Sequence, residues 1–218
     1  FDVQHDTISL ALVELNLTKV PTAGSRLGFR IDLGFGKTAE LTTAFEPSPS
    51  DRVVYQHVQQ AYLSLLTGKV RWDAGKLVTP IGAEVIESQD NWNYTRSILF
   101  GYAIPFYHLG VRAALPVSDE LTLTGWVTNG WNNASELDGD KTFALSAALT
   151  PFDRVSWIAN YMVGKEAPAD AAARELRHLF DTTLTVSATA KLRFMASFDY
   201  GAEGGLRWWG VAAYARFQ

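Results

Sequence analysis

Arg26-Leu-Gly-Phe-Arg-Ile-Asp-Leu-Gly-Phe35 changes character at every step: Arg26, Gly28, Arg30, Asp32 and Gly34 alternate with Leu27, Phe29, Ile31, Leu33 and Phe35. Successive side chains of an extended chain point to opposite sides, so a period of two describes a strand with one polar and one apolar face. The pattern returns where Leu192, Phe194, Ala196, Phe198 and Tyr200 interleave with Arg193, Met195, Ser197 and Asp199. Both segments run for about ten residues, while strands of soluble proteins are nearer five or six. About ten residues at ~3.3 Å each, tilted by ~40°, cover the ~25 Å apolar band of an outer membrane.

Outward from these two segments, further strands are expected at 7–19, 57–66, 70–78, 107–115, 121–128, 142–150, 155–163, 179–189 and 207–217, about eleven in all. Short turns near 20–25, 67–69, 116–120, 151–154 and 189–191 are interleaved with longer stretches near 36–56, 79–106, 129–141 and 164–178, and 201–206 is a modest member of the long set. Short turns at one end and long loops at the other describe an up-and-down barrel, and a β-sandwich gives no such alternation. The fold expected is therefore all-β, an antiparallel up-and-down transmembrane β-barrel meander forming one domain over residues 1–218. Bacterial single-chain barrels have even strand counts, so an odd number points to a fragment of a barrel with about twelve strands or more, truncated at one or both ends. Within 169–179, Ala-Ala-Ala-Arg-Glu-Leu-Arg favours a short helix or loop.

Composition agrees once this pattern is known. A hydrophobic share of 47% and a mean hydropathy of −0.02 resemble a soluble protein, but a barrel that alternates lipid-facing and lumen-facing residues averages out near neutral. The longest apolar stretch, Ile98 to Tyr107, is too short for a transmembrane helix and contains Gly101 and Pro105. Zero cysteines exclude disulfides and thiolate chemistry. A net charge of −4 without a basic cluster argues against a nucleic-acid partner. Trp72, Trp126, Trp157, Phe194, Trp208 and Trp209 fall near expected strand ends, compatible with interfacial girdles or with ordinary packing.

Four stretches carry a resemblance: Asp73-Ala-Gly-Lys-Leu-Val-Thr-Pro-Ile-Gly-Ala-Glu84, Asp90-Asn-Trp-Asn-Tyr-Thr-Arg-Ser97, Ile104-Pro-Phe-Tyr-His-Leu-Gly-Val-Arg112 and Thr128-Asn-Gly-Trp-Asn-Asn133. Through nearly its whole length the chain resembles the bacterial outer-membrane family called putative β-barrel porin-2. The resemblance implies a porin-like barrel in the outer membrane of a Gram-negative bacterium. It brings no substrate with it, and members of the family extend past the equivalent of Phe217.

With the polar phase of each strand turned inward, Arg26, Arg30, Asp32, Arg71, Asp73, His108, Arg112, Asp181, Arg193 and Asp199 line the lumen. Such a set either filters ions and orients polar solutes or forms a paired network that stabilises the wall. Lys76 falls on the outward phase and is expected near the headgroups, or re-aimed by a bulge at Gly75. The 79–106 stretch is too long for an idle connection. It combines Glu84, Glu87, Asp90, Trp92 and Arg96 with an apolar run that avoids water, so it is expected to fold into the mouth as a constriction favouring cations, with a packed external cap as the alternative. The spacing of Glu84, Glu87 and Asp90 matches no standard calcium loop, and no metal or cofactor is expected. His5, His57, His108 and His178 are scattered and no catalytic motif accompanies them, so no enzyme is expected.

These readings converge on a channel for passive diffusion of small polar solutes or ions. A structural or adhesion barrel with a plugged lumen is the alternative, and a soluble sandwich binding module is third. The partners are outer-membrane lipid and small polar solutes or ions, with homo-oligomer formation left open.

Overall fold

The computed structural model describes residues 7–136, 139–166 and 174–218. The strands are β1 (Val13–Lys19), β2 (Leu27–Phe35), β3 (Val58–Thr67), β4 (Val70–Val78), β5 (Tyr107–Pro116), β6 (Leu121–Thr128), β7 (Thr142–Phe152), β8 (Val155–Lys165), β9 (Leu176–Ser187), β10 (Leu192–Glu203) and β11 (Leu206–Phe217). They form one sheet in sequence order, each pairing antiparallel with the next. The sheet is all-β and up-and-down, as the alternation predicts.

Laid flat at ~4.8 Å per strand, eleven strands would put β1 and β11 roughly 48 Å apart. The loop that follows β4 shows that the sheet is not flat. Asp90 shares a cavity with Glu14, Asn16 and Thr18 of β1, while the Trp92 ring meets Tyr214 of β11 with centroids 6.5 Å apart. Two residues of chain span at most about 7 Å. The sheet therefore rolls around this loop and brings its two edge strands to face each other, although the pairing order does not close β11 back onto β1.

The rolled sheet reverses the burial order of a soluble protein. Leu63, Leu145 and Val211 are 71%, 57% and 64% exposed, whereas Asp32, Asp73 and Asp199 are 0% exposed. Trp72, Trp157 and Phe194 lie on the exposed apolar face near the short-turn end, as does Trp209 near the opposite end. Trp126 and Trp208 instead turn inward: Trp126 is buried, and Trp208 Nε1 donates to the Ala103 carbonyl.

Four expectations about element boundaries and connections change. β1 starts at Val13 and not at residue 7, because the carbonyls of Leu10 and Ala11 accept from Lys37 and Thr38 at the start of helix α1 (Lys37–Thr43). The 36–56 stretch also holds α2 (Pro49–Tyr55), where Pro49 begins the helix and Ser48 Oγ caps the Asp51 amide. The helix expected over 169–179 lies partly outside the described residues; its end, Leu176 to Leu179, is strand, because pairing of β9 with both β8 and β10 outweighs local propensity. The connection at 201–206 shortens to a tight Gly204-Gly205 turn, with Gly204 at a φ of +53°.

No bulge re-aims Lys76, since pairing runs through Gly75 without a shift on both sides. The lysine does not reach the exposed face either. It is covered by α2 and β5: its Nζ donates to the Tyr55 carbonyl at 3.2 Å and sits 4.0 Å from the Tyr107 ring centroid. Gly75 serves a different end. Its φ is +143°, and a Cβ there would lie 2.2 Å from the Ala61 carbonyl oxygen. Gly75→Ala is expected to cost about 1–3 kcal/mol, measured by urea unfolding of the protein folded in detergent.

Candidate functional site

The polar face is organised by register into three side-chain groups. In the first, Asp32 accepts from Asn16, from Arg30 Nε at 2.7 Å and from Gln60 Nε2 at 2.6 Å. These come from β1, β2 and β3, and the pairings Asn16↔Asp32 and Asp32↔Gln60 place them side by side.

In the second group, buried Asp73 accepts from Ser64 Oγ at 2.6 Å, Arg112 Nε at 2.7 Å and Arg71 Nε at 3.2 Å. The Arg112 guanidinium lies 5.3 Å from the Tyr62 ring and 5.0 Å from the Trp126 ring. A planar cation between two aromatic faces keeps its orientation, which an ammonium would not. The third group is Asn160, Asp181 and Asp199, where Asn160 Nδ2 donates to Asp181 Oδ1 at 2.5 Å and Asp181 faces Asp199 across the β9–β10 pair.

The remaining expected wall residues are placed differently. His108 is fully enclosed, with one ring nitrogen 3.0 Å from the Gly130 carbonyl and the other 3.2 Å from Thr79 Oγ1. Arg193 stacks over Trp92 at 5.7 Å. Arg26 precedes β2 at the short-turn end and is exposed, apart from the three groups. Charge alone does not reveal the neutral members of these groups, Asn16, Gln60, Tyr62, Ser64 and Asn160. Their signal was available: Gln60, Tyr62 and Ser64 share one phase of β3.

Residues 79–106 fold across this polar face. Asn160 Nδ2 holds the Pro80 carbonyl at 3.0 Å, and Gln59 Nε2 donates to Glu87 at 3.2 Å. The short helix α3 (Ile98–Tyr102) starts at Ser97, whose Oγ accepts from the Phe100 amide. Glu84 then accepts from the Ser97 amide at 2.9 Å and from its hydroxyl, pinning the loop back on itself. Arg96 ties the same loop together, donating to Ser88 Oγ at 2.5 Å and to the carbonyls of Val85, Ile86 and Tyr94. Ile81, Ile86, Phe100, Ile104 and Phe106 bury their side chains with Met162 of β8 and Leu179 of β9. The apolar run thus escapes water against Met162 and Leu179, with Val78 of β4, Ala144 of β7 and Trp208 of β11 also packed on the cluster.

Space remains around this insert. A cavity of about 540 Å³ near the short turns is lined by Lys69, Arg71, Arg112, Thr124, Ser146 and Asn160 among others. A second, of about 280 Å³, includes Arg30, Tyr62, Glu87 and Arg112 in its lining. A third, of about 460 Å³, is bordered by Glu14, Thr18, Arg30, Glu87 and Asp90. Arg112 borders the first and second, and Arg30 and Glu87 border the second and third. Of the loop carboxylates, Glu84 is committed to Ser97, while Glu87 and Asp90 face open volume.

The whole chain, residues 1–218, matches the family described as putative beta-barrel porin-2, OmpL-like. No curated protein matches it.

Proposed function

The chain belongs to the putative β-barrel porin-2 family, and from that premise we propose that it is a porin-like channel in the outer membrane of a Gram-negative bacterium, passing small polar solutes or ions by diffusion. The observation that carries this reading is the reversed burial: an apolar face exposed over the sheet and a polar face enclosed. An apolar surface of that extent is stable against lipid and not against water. Trp72, Trp157 and Phe194, exposed near one end of the strands, suit an interfacial girdle.

The lumen on this reading is lined by Arg30, Asp32, Arg71, Asp73, Arg112, Asp181, Arg193 and Asp199. The 79–106 insert narrows it, and the path follows the cavities that share Arg112, Arg30 and Glu87. Glu87 and Asp90 outnumber Arg30 around the third cavity, so this part of the path favours cations. A charge ~10 Å from a passing ion changes its energy by about 0.4–1.7 kcal/mol at effective dielectric constants of ~80 to ~20. The protein in a planar bilayer is expected to show stable ohmic steps and a cation-selective reversal potential under a salt gradient. Glu87→Gln with Asp90→Asn should lower the cation-to-anion permeability ratio at least about twofold. An unchanged ratio would remove these carboxylates from the path.

One observation favours a second reading, a structural or adhesion barrel with a plugged lumen: the insert buries a continuous apolar cluster against β8 and β9. The same bilayer measurement separates the two, because a folded barrel that never conducts is plugged.

A further inference from the structure

Asn160, Asp181 and Asp199 form one row across β8, β9 and β10, each directly opposite the next. Thr183 stands two residues from Asp181 on the same face of β9. All four are buried, at 2%, 1%, 0% and 7% exposure. Five of their oxygens have no hydrogen-bond partner among the described residues: Asn160 Oδ1, Asp181 Oδ2, both Asp199 oxygens and Thr183 Oγ1. That concentration is unusual, since buried polar atoms are nearly always satisfied.

With both carboxyls ionised, four of the five can only accept, so neighbouring side chains of the same kind satisfy them only by sharing a proton. The ion pairs of the molecule pass this row by: Asp32 and Asp73 hold the arginines of the opposite wall, and neither Asp181 nor Asp199 forms one among the described residues. The Asn160 amide is fixed by its two donated bonds, to Asp181 at 2.5 Å and to the Pro80 carbonyl at 3.0 Å, leaving its Oδ1 as the free end. Asp199 also borders a void of about 10 Å³ beneath Gly82 and Glu84, room for about one water-sized occupant. Asn160 also borders the 540 Å³ cavity.

We propose that this row binds a divalent cation of the calcium class, held by both carboxylates, the Asn160 side-chain carbonyl and the Thr183 hydroxyl. No three His, Cys, Asp or Glu side chains gather at one point among the described residues, so the donor set is mixed, as hard oxygen sites often are. Calcium takes about six to eight oxygens; five from the protein leave the rest to water. Two carboxylates match a charge of two, where a monovalent ion would leave one negative charge buried and unbalanced.

The inference is independent of conduction, and its test reads stability. The full chain folded in detergent is heated with Ca²⁺ or with EDTA. Ca²⁺ is expected to raise the melting midpoint by roughly 5 °C. Asp199→Asn should abolish that shift while melting no lower than the unsubstituted chain in EDTA, because it relieves the carboxylate repulsion. Asp119→Asn, exposed in the turn between β5 and β6, should keep the full shift. A shift that survives Asp199→Asn places the ion elsewhere and overturns the site. So does an unsubstituted chain indifferent to Ca²⁺ while Asp199→Asn melts higher in either solution, which would mark a carboxyl pair sharing a proton.

Discussion

Leu63→Arg is expected to lower the stability of the membrane-folded protein by about 2–4 kcal/mol, a loss of roughly 30-fold to several hundredfold in the folded-to-unfolded ratio at RT ≈ 0.59 kcal/mol. Leu63 lies in the middle of β3, 71% exposed, opposite Phe29 of β2 and Ala74 of β4. In a soluble protein an exposed leucine tolerates arginine within about 0.5 kcal/mol. The two environments therefore predict different outcomes for one substitution. Thr124→Arg is the control, because Thr124 borders the 540 Å³ cavity on the other face and has room for a longer side chain; it should cost little. Equilibrium unfolding from lipid vesicles measures both. Equal, small costs would mean that the apolar face meets water and would remove the basis of the membrane reading.

The strands were legible because a sheet with one polar and one apolar face must alternate, and nothing else produces Arg26 to Phe35 or Leu192 to Tyr200. Turn and loop positions were legible for the same reason, wherever the alternation breaks. The composition of the wall was half legible. Phase alone assigned Asp32, Asp73 and Asp199 to the enclosed face, but phase cannot say who stands beside whom. Asp73 and Arg112 are 39 residues apart in sequence, and only the register of β4 against β5 makes them partners. The same holds for Asp181 opposite Asp199. Residues placed by loop packing were not legible: Lys76 has the outward phase of a lipid-facing side chain, and it is buried because α2 and Tyr107 cover it. Leu176 to Leu179 shows the limit of local propensity, since residues of a helix-favouring stretch become strand when two neighbours offer a ladder.

Removing Asp73 should have the largest effect of any change to the polar wall. Its carboxylate is fully buried and is the ion-pair partner of both Arg112, whose side chain is 16% exposed, and Arg71, at 41%. Asp73→Leu leaves the enclosed Arg112 cation between Tyr62 and Trp126 without its counter-charge, and orphans the Ser64 hydroxyl. Breaking a buried pair from one side costs about 3–5 kcal/mol. The neighbouring cavity admits water, so the lower end, about 3 kcal/mol, is expected here, with little added by the half-exposed Arg71. Asp73→Leu combined with Arg112→Leu should recover most of the loss, because no enclosed charge then lacks a partner. In a conducting channel the single variant would also expose an unbalanced positive charge where two cavities meet, shifting the reversal potential toward anions, and the double variant would shift it back. Double-variant stability equal to the sum of the two single losses would mean that Asp73 and Arg112 act independently, and that the arginine between its two rings is held by the aromatic faces alone.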